Sequence, residues 1–180
     1  LLENYLMLNG ELRQMNAVRL IELASGSVSR QLWSGPFRQM RNTQVMDRFA
    51  TRRQYLYEGR VVDTQDHLGF DLASRLQDEV PASNAGVVVF AEYLGIYGNT
   101  VVVDHGYGLM TLYSHLSRID VEVGQEVAAG ERLGLSGETG MAGGDHLHFA
   151  VLVGGLPVNP LEWFDAKWIR DHIGGVLPLE

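Results

Sequence analysis

Three observations predict a mainly β protein: an antiparallel sheet folded as a sandwich or open barrel, with short helices at its N-terminus and one helix at its C-terminus. From Val45 onward the apolar period is two, and it stays two through residue 158. The apolar runs are short, rich in Val, Ile, Tyr and Phe, and separated by Gly, Asn and Pro signals. Helical spacing is confined to the first 24 residues and to the stretch after Asn159-Pro160.

Taken in order, Leu2, Leu6 and Leu8, then Leu12, Met15, Val18, Leu20 and Leu23, recur at helical intervals, with Gly10 as the break. Two short amphipathic helices are expected, their apolar face packed on the following domain or on a missing N-terminal part. Ser25-Gly26-Ser27 and Ser34-Gly35-Pro36 punctuate the next stretch as loop, and Trp33 and Phe37 are placed to anchor it to a core. Strands are expected at 86–93, 100–104, 110–113, 122–127, 132–136 and 146–153, with 95–99 as a hairpin turn. Asn159-Pro160 starts the last helix, with Leu161, Phe164, Trp168 and Ile169 on one side and Gly174-Gly175 at its end. The expected organisation is an accessory segment at 1–35, a main domain at 36–166, and a helix end and tail at 167–180.

With 180 residues, 46% of them hydrophobic and 20% charged, the chain has the composition of an ordinary folded domain with a real core. It has no run of about 18 apolar residues, and the first residue is Leu1, so membrane anchoring is expected only through a missing upstream segment. Cysteine is absent, which removes disulfides and thiolate metal sites. A net charge of -8 argues against nucleic acid, whose binding needs Lys and Arg against phosphate. The charge is uneven: Arg38, Arg41, Arg48, Arg52, Arg53 and Arg60 face only Asp47 and Glu58 within one stretch. That stretch reads as a solvated face or as a cluster that holds substrate carboxylates.

The chemistry concentrates in Asp145-His146-Leu147-His148-Phe149. On an extended segment His146 and His148 share one face while Leu147 and Phe149 take the other. His67 and Asp71, at i and i+4, and His115, on another strand end, answer to that pair. A catalytic zinc takes three nitrogen or carboxylate ligands and leaves a fourth position open. His67, Asp71 and one histidine of the pair make such a set, with His115 and the remaining histidine beside it. His105, in an Asp-His-Gly turn, reads as structural, and His172 as a surface residue.

These motifs, in order, are His67-Leu68-Gly69-Phe70-Asp71, Val102-Val103-Asp104-His105-Gly106-Tyr107-Gly108, Leu112-Tyr113-Ser114-His115-Leu116, Gly124-Gln125-Glu126-Val127, Gly134, Ser136-Gly137-Glu138-Thr139-Gly140 and His146-Leu147-His148-Phe149. Over roughly residues 49–163 the series resembles the M23 zinc metallopeptidases of the lysostaphin and LytM type, and residues 1–35 lie outside it. The resemblance implies the LytM-type fold and one zinc ion per chain, held by His67, Asp71 and His148, with His115 and His146 as the catalytic pair. It implies hydrolysis of peptide cross-links in bacterial peptidoglycan, in the cell envelope, periplasmic or otherwise extracytoplasmic. Tyr113, Asn99, Arg52 and Arg53 are the expected contacts to the stem peptides.

Asp145 stands where the family often has Pro, and Ala150 where it often has an acidic residue. Neither is a ligand position. Some members of the family have lost ligands and act as noncatalytic regulators of other wall hydrolases. Here all five positions are intact, which favours an enzyme. The alternative is a noncatalytic regulator, or one autoinhibited by N-terminal helices that block the groove, that activates another wall hydrolase, with a protein regulator as a further expected partner. Residues 121–137 also resemble a biotinyl or lipoyl carrier hairpin, but a carrier needs an exposed lysine at the tip and the chain's single lysine is Lys167.

Overall fold

The computed structural model describes residues 2–174 and 176. The chain opens with α1 (Leu2–Met7), a single π-helical turn at Leu8–Leu12, and α2 (Arg13–Ser25). The break expected at Gly10 is therefore a widened turn inside one continuous helix, with Met7 and Arg13 both in right-handed helical conformation at its ends. The extra residue shifts the helical phase of α2 relative to α1. Asn9, Asn16 and Leu20 face inward, while Met15 and Val18 of the expected apolar stripe lie exposed.

The strands come next, as β1 (Gln44–Asp47), β2 (Arg52–Tyr57), β3 (Arg60–Asp66), β4 (Phe70–Ala73), β5 (Glu79–Pro81), β6 (Gly86–Tyr93), β7 (Asn99–Asp104), β8 (Leu109–Leu116), β9 (Arg118–Ile119), β10 (Glu126–Val127), β11 (Arg132–Leu135), β12 (Leu147–Val153) and β13 (Leu156–Val158). The main sheet runs β1-β4-β12-β8-β7-β6-β10, with β13 also paired to β12. Its pairings are antiparallel throughout. A three-stranded sheet, β5-β11-β9, and the β2-β3 hairpin flank it. Of the expected strand at 122–127 only Glu126–Val127 pairs, because the turn at Gly124 takes up the residues before it.

Each central strand buries both faces. Phe70, Leu72, Val101, Val103, Tyr113, Leu147, Phe149 and Val151 form one core with Trp33, Phe37 and Trp163. Val102, Met110, Leu112, Ala150 and Leu152 face the other way, onto Leu20 of α2, Leu94, Ile96 and Tyr97. The loop aromatics Trp33 and Phe37 thus anchor residues 26–43 as expected. The terminal helix divides in two, α3 (Pro160–Phe164) and α4 (Ala166–His172). Asp165 between them is extended, and its carboxylate caps α4 through the amides of Lys167 and Trp168. The kink turns Trp163 and Ile169 inward and leaves Leu161 at the surface, against the single-helix expectation. Gly175 of the expected helix end lies outside the described residues. No described helix is long and apolar enough to cross a membrane.

His105 is fully buried. One ring nitrogen donates to the Ala85 carbonyl (2.6 Å) and the other pairs with the Thr111 hydroxyl (2.8 Å), so the residue closes the turn after β7. Burial pushes its pKa down to about 4, below the usual value near 6.5. The unfolded chain therefore binds the proton first. Between about pH 6.5 and pH 4 stability falls as pH falls, by at most roughly 3 kcal/mol from this group. Urea unfolding across that window should show a shallower pH dependence in His105→Gln than in the parent; parallel curves would remove the buried neutral histidine from the explanation.

Candidate metal centre

Backbone pairing brings the site together. His148 on β12 lies opposite Asp71 on β4 and opposite Ser114 on β8. His67, just before β4, is fixed by its amide to Thr51 (2.9 Å) and its carbonyl to Ala50 (2.8 Å). Gly69 follows because no larger residue fits: a Cβ there would stand 2.8 Å from two atoms of the His148 ring and 2.5 Å from the Phe149 carbonyl oxygen.

His115 reaches the site through a bulge. In a regular strand Tyr113 and His115, two apart, would share a face. Instead Tyr113 and Leu116 lie in the same core, the β7-β8 register shifts between Asn99 and Val101, and His115 adopts φ +63. One extra residue in left-handed conformation reverses the parity and turns the imidazole to the other side of the sheet. The expectation for Tyr113 fails for the same reason. It is 1% exposed in the core, where its hydroxyl accepts from the Ser83 amide (2.7 Å) and pairs with Thr111 (2.9 Å), so it cannot meet a substrate.

Three donor atoms converge: His67 Nε2 to Asp71 Oδ1 is 3.0 Å, His67 Nε2 to His148 Nδ1 is 3.1 Å, and His148 Nδ1 to Asp71 Oδ1 is 2.9 Å. His67 Nδ1 donates to the Arg48 carbonyl (3.0 Å), so in the neutral ring Nε2 is a bare lone pair aimed at a carboxylate oxygen. Electron pairs held face to face call for a cation between them. A tetrahedral ion with bonds of about 2.0–2.1 Å sets its ligands about 3.3–3.4 Å apart, a few tenths of an ångström wider than this triangle. The donor set and spacing fit a divalent metal, and all three groups are buried.

Two more imidazoles aim at the same point. His115 Nδ1 donates to the Thr139 carbonyl (2.8 Å) and His146 Nδ1 to the Gly144 carbonyl (2.8 Å). Both Nε2 atoms are thereby left to the cleft, that of His146 standing 3.5 Å from Asp71 Oδ1. The two rings are 4.8 Å apart, centroid to centroid. Burial, with His148 and His146 nearby, pushes His115 down to about 3 and keeps it neutral. Burial also lowers His148. It acts against His146 too, but the hydrogen bonds to Asp71 and Gly144 outweigh it and raise that ring. Burial alone would raise the Asp71 carboxyl, yet the imidazoles of His146, His148 and His67 crowded against it favour its ionised form and hold it well below the usual carboxylate range.

The remaining expected contacts separate. Arg53 enters the cleft, but its guanidinium is committed to two carboxylates, Asp71 Oδ2 (2.5 Å) and Asp47 Oδ2 (2.7 Å from Nε). Arg52, on the other face of β2, is exposed and stands 3.9 Å from Asp66, outside the cleft. Asn99 lies behind His115, donating from its side chain to the Leu116 carbonyl and from its amide to the Thr139 hydroxyl, both at 3.0 Å. The cleft, about 270 Å³, is closed instead by Tyr97, Ile96, Met141 and Arg13. Tyr97 packs its ring 5.5 Å from that of His148, and the Gly-Ile-Tyr-Gly turn was the signal available for it. Asp145 stabilises the loop before β12 by accepting from Ser136 (2.6 Å) and from the Gln77 amide (2.9 Å).

The sequence model of Peptidase family M23 matches residues 65–160, a span that holds His67, Asp71, His115, His146 and His148. The chain belongs to peptidase family M23. This M23 chain is 41% identical over 119 residues to the peptidoglycan DD-endopeptidase ShyA of Vibrio cholerae, covering 66% of the chain and 27% of ShyA. It thus spans about a quarter of the length of the curated relative. Among solved structures, it resembles a zinc-containing peptidase from Vibrio cholerae (TM-score 0.60, 33% identity, 74% of this chain and 40% of that one). It also resembles the catalytic domain of lysostaphin from Staphylococcus simulans (TM-score 0.59, 26% identity, 68% and 92%). The M23 fold accordingly accounts for the sheet and the site, while α1 and α2 precede the matched span.

The contact at Gly69 makes a test. Gly69→Ala should push the His148 ring out of line, costing about 1–3 kcal/mol in stability and weakening metal retention. Competition against a chromogenic chelator reads the second effect, and unchanged affinity would show that the ring can yield without harm.

Proposed function

We propose that the chain is a zinc-dependent endopeptidase that hydrolyses peptide cross-links of peptidoglycan in the bacterial cell envelope, outside the cytoplasmic membrane. The observation that carries the reading is the convergence of three imidazole nitrogens and a carboxylate oxygen on one buried point, with a fourth imidazole beside them. Supporting it are membership of family M23, the DD-endopeptidase name of the relative and the zinc of the Vibrio cholerae structure.

His67, Asp71 and His148 are the proposed ligands, and zinc held there supplies a Lewis acid that acidifies water and polarises a peptide carbonyl. Arg53 acts through Asp71, holding the oxygen that does not face the imidazoles and so fixing the orientation of the one that does. His115 and His146 are the proposed catalytic pair. A neutral ring anchored at Nδ1 takes a proton from the attacking water at Nε2, and its protonated partner donates from Nε2 to the oxyanion. Tyr97 and Ile96 form an apolar wall that limits water on that side of the ligands.

The test is digestion of purified sacculi by the zinc-loaded protein, read by mass spectrometry of the muropeptides. Cross-linked dimers should disappear as monomers accumulate, and chelation should stop the reaction. His115→Ala should keep its zinc and lose about 10² to 10⁴ in rate, whereas His67→Ala should lose both. Stoichiometric zinc in His67→Ala would sink the ligand assignment. A filled zinc site with no cleavage would move the chain to the noncatalytic regulators.

A further inference from the structure

The N-terminal helix is fastened on two sides, to the β2-β3 hairpin and to the turn whose Ile96 and Tyr97 line the metal cleft. At one end the Asn9 side chain donates to Asp63 of β3 and to the Tyr5 hydroxyl, Gln65 donates to the Asn9 carbonyl, and Tyr5 packs on Tyr55 with ring centroids 5.5 Å apart. At the other, the Asn16 side chain accepts from the Ile96 amide (3.1 Å) and fills the space that a side chain at Gly95 would need. Asn9, Arg13 and Asn16 are spaced by four and three residues, so they share one helix face. Two asparagines anchor that face, and the arginine between them hangs over the cleft.

Arg13 lines the same cavity as His67, Asp71, His115, His146 and His148. Its Nε donates to Asn9 Oδ1 (2.7 Å), which sets the plane of the guanidinium. That is the guanidinium's one hydrogen bond among the described residues, and it enters no ion pair there. Arg53, the other cation lining the cavity, is neutralised by Asp47 and Asp71. An anionic group entering the cleft therefore finds its uncommitted donors at Arg13.

We infer that Arg13 is a specificity-determining residue that receives a free carboxylate of the peptide substrate next to the scissile bond. The inference rests on the peptidoglycan reading, whose stem peptides carry such carboxylates. It deepens that reading by assigning the recognition to a helix that precedes the family's matched span. A planar guanidinium already oriented through Nε offers its two terminal nitrogens as a fork to a carboxylate, the geometry in which arginine discriminates best. A peptide whose carboxylates are amidated loses that pairing and gains no substitute.

The experiment uses zinc-loaded full chain and two synthetic cross-linked stem-peptide dimers, one with free carboxylates and one amidated. Binding to His115→Ala, whose turnover is slowed about 10²- to 10⁴-fold, is measured by calorimetry over times short against that residual rate, and kcat/KM is measured on the chain with His115 intact. The free dimer should be preferred about ten- to a hundredfold in both readouts. Arg13→Gln should erase the preference, with both dimers treated alike, and Arg13→Lys should keep a smaller one. An equal loss on both dimers in Arg13→Gln, an undiminished preference, or no preference in the parent overturns the proposal. Failure of the parent to bind or cleave either dimer overturns the peptidoglycan reading instead.

Discussion

Lone pairs that face one another organise this molecule. Four imidazoles and a carboxylate crowd one buried point, and three of the rings are tied at Nδ1 to a backbone carbonyl, those of Arg48, Thr139 and Gly144. In the neutral ring each tie selects a tautomer and leaves Nε2 bare. Such an arrangement is costly in an apolar interior without positive charge, so the fold must supply strong compensation around it. Arg53 is one such source, drawing off part of the Asp71 charge on the side away from the rings. The two-sided core is another, since it holds β4, β12 and β8 in a fixed register from both faces.

The three carbonyl anchors come from two loops, Arg48 from the one before β2 and Thr139 and Gly144 from the single connection between β11 and β12. Ring orientation therefore depends on loop backbone that the sheet itself must position. Asn99 and the Thr139 hydroxyl tie the loop after β11 to the end of β8, so His115 and the carbonyl that orients it move as a unit. Asp145 does the same for the approach to β12 by binding Ser136 and Gln77. Polar contacts outside the cleft thus keep the cleft in shape.

Much of this was legible in the sequence. His146 and His148 share a face because a strand alternates, and His67 and Asp71 sit beside them because β4 pairs with β12. The burial of Tyr113 was not legible: regular alternation would put it on the face of His115, and no residue type announces a bulge when the left-handed position is a histidine. The helix face was misread for a related reason: a π-turn shifts the helical phase, and the inward residues are asparagines chosen for hydrogen bonds, not for apolarity. Arg13 had no local signature at all. Its place in the cleft exists only once a helix and a turn some eighty residues apart have docked.

The left-handed backbone at His115 sets stability against chemistry at a single position. Glycine takes such a conformation freely, whereas a histidine there costs on the order of 1–3 kcal/mol that the surrounding sheet must absorb. Anyone breeding a hardier version of this protein by melting temperature alone would be led to replace that residue early. The hardened molecule would keep its fold and its ligand triangle while losing one of the two rings that face the substrate. Heat tolerance is thus a misleading guide to fitness in this molecule, and selection on turnover is the safer one.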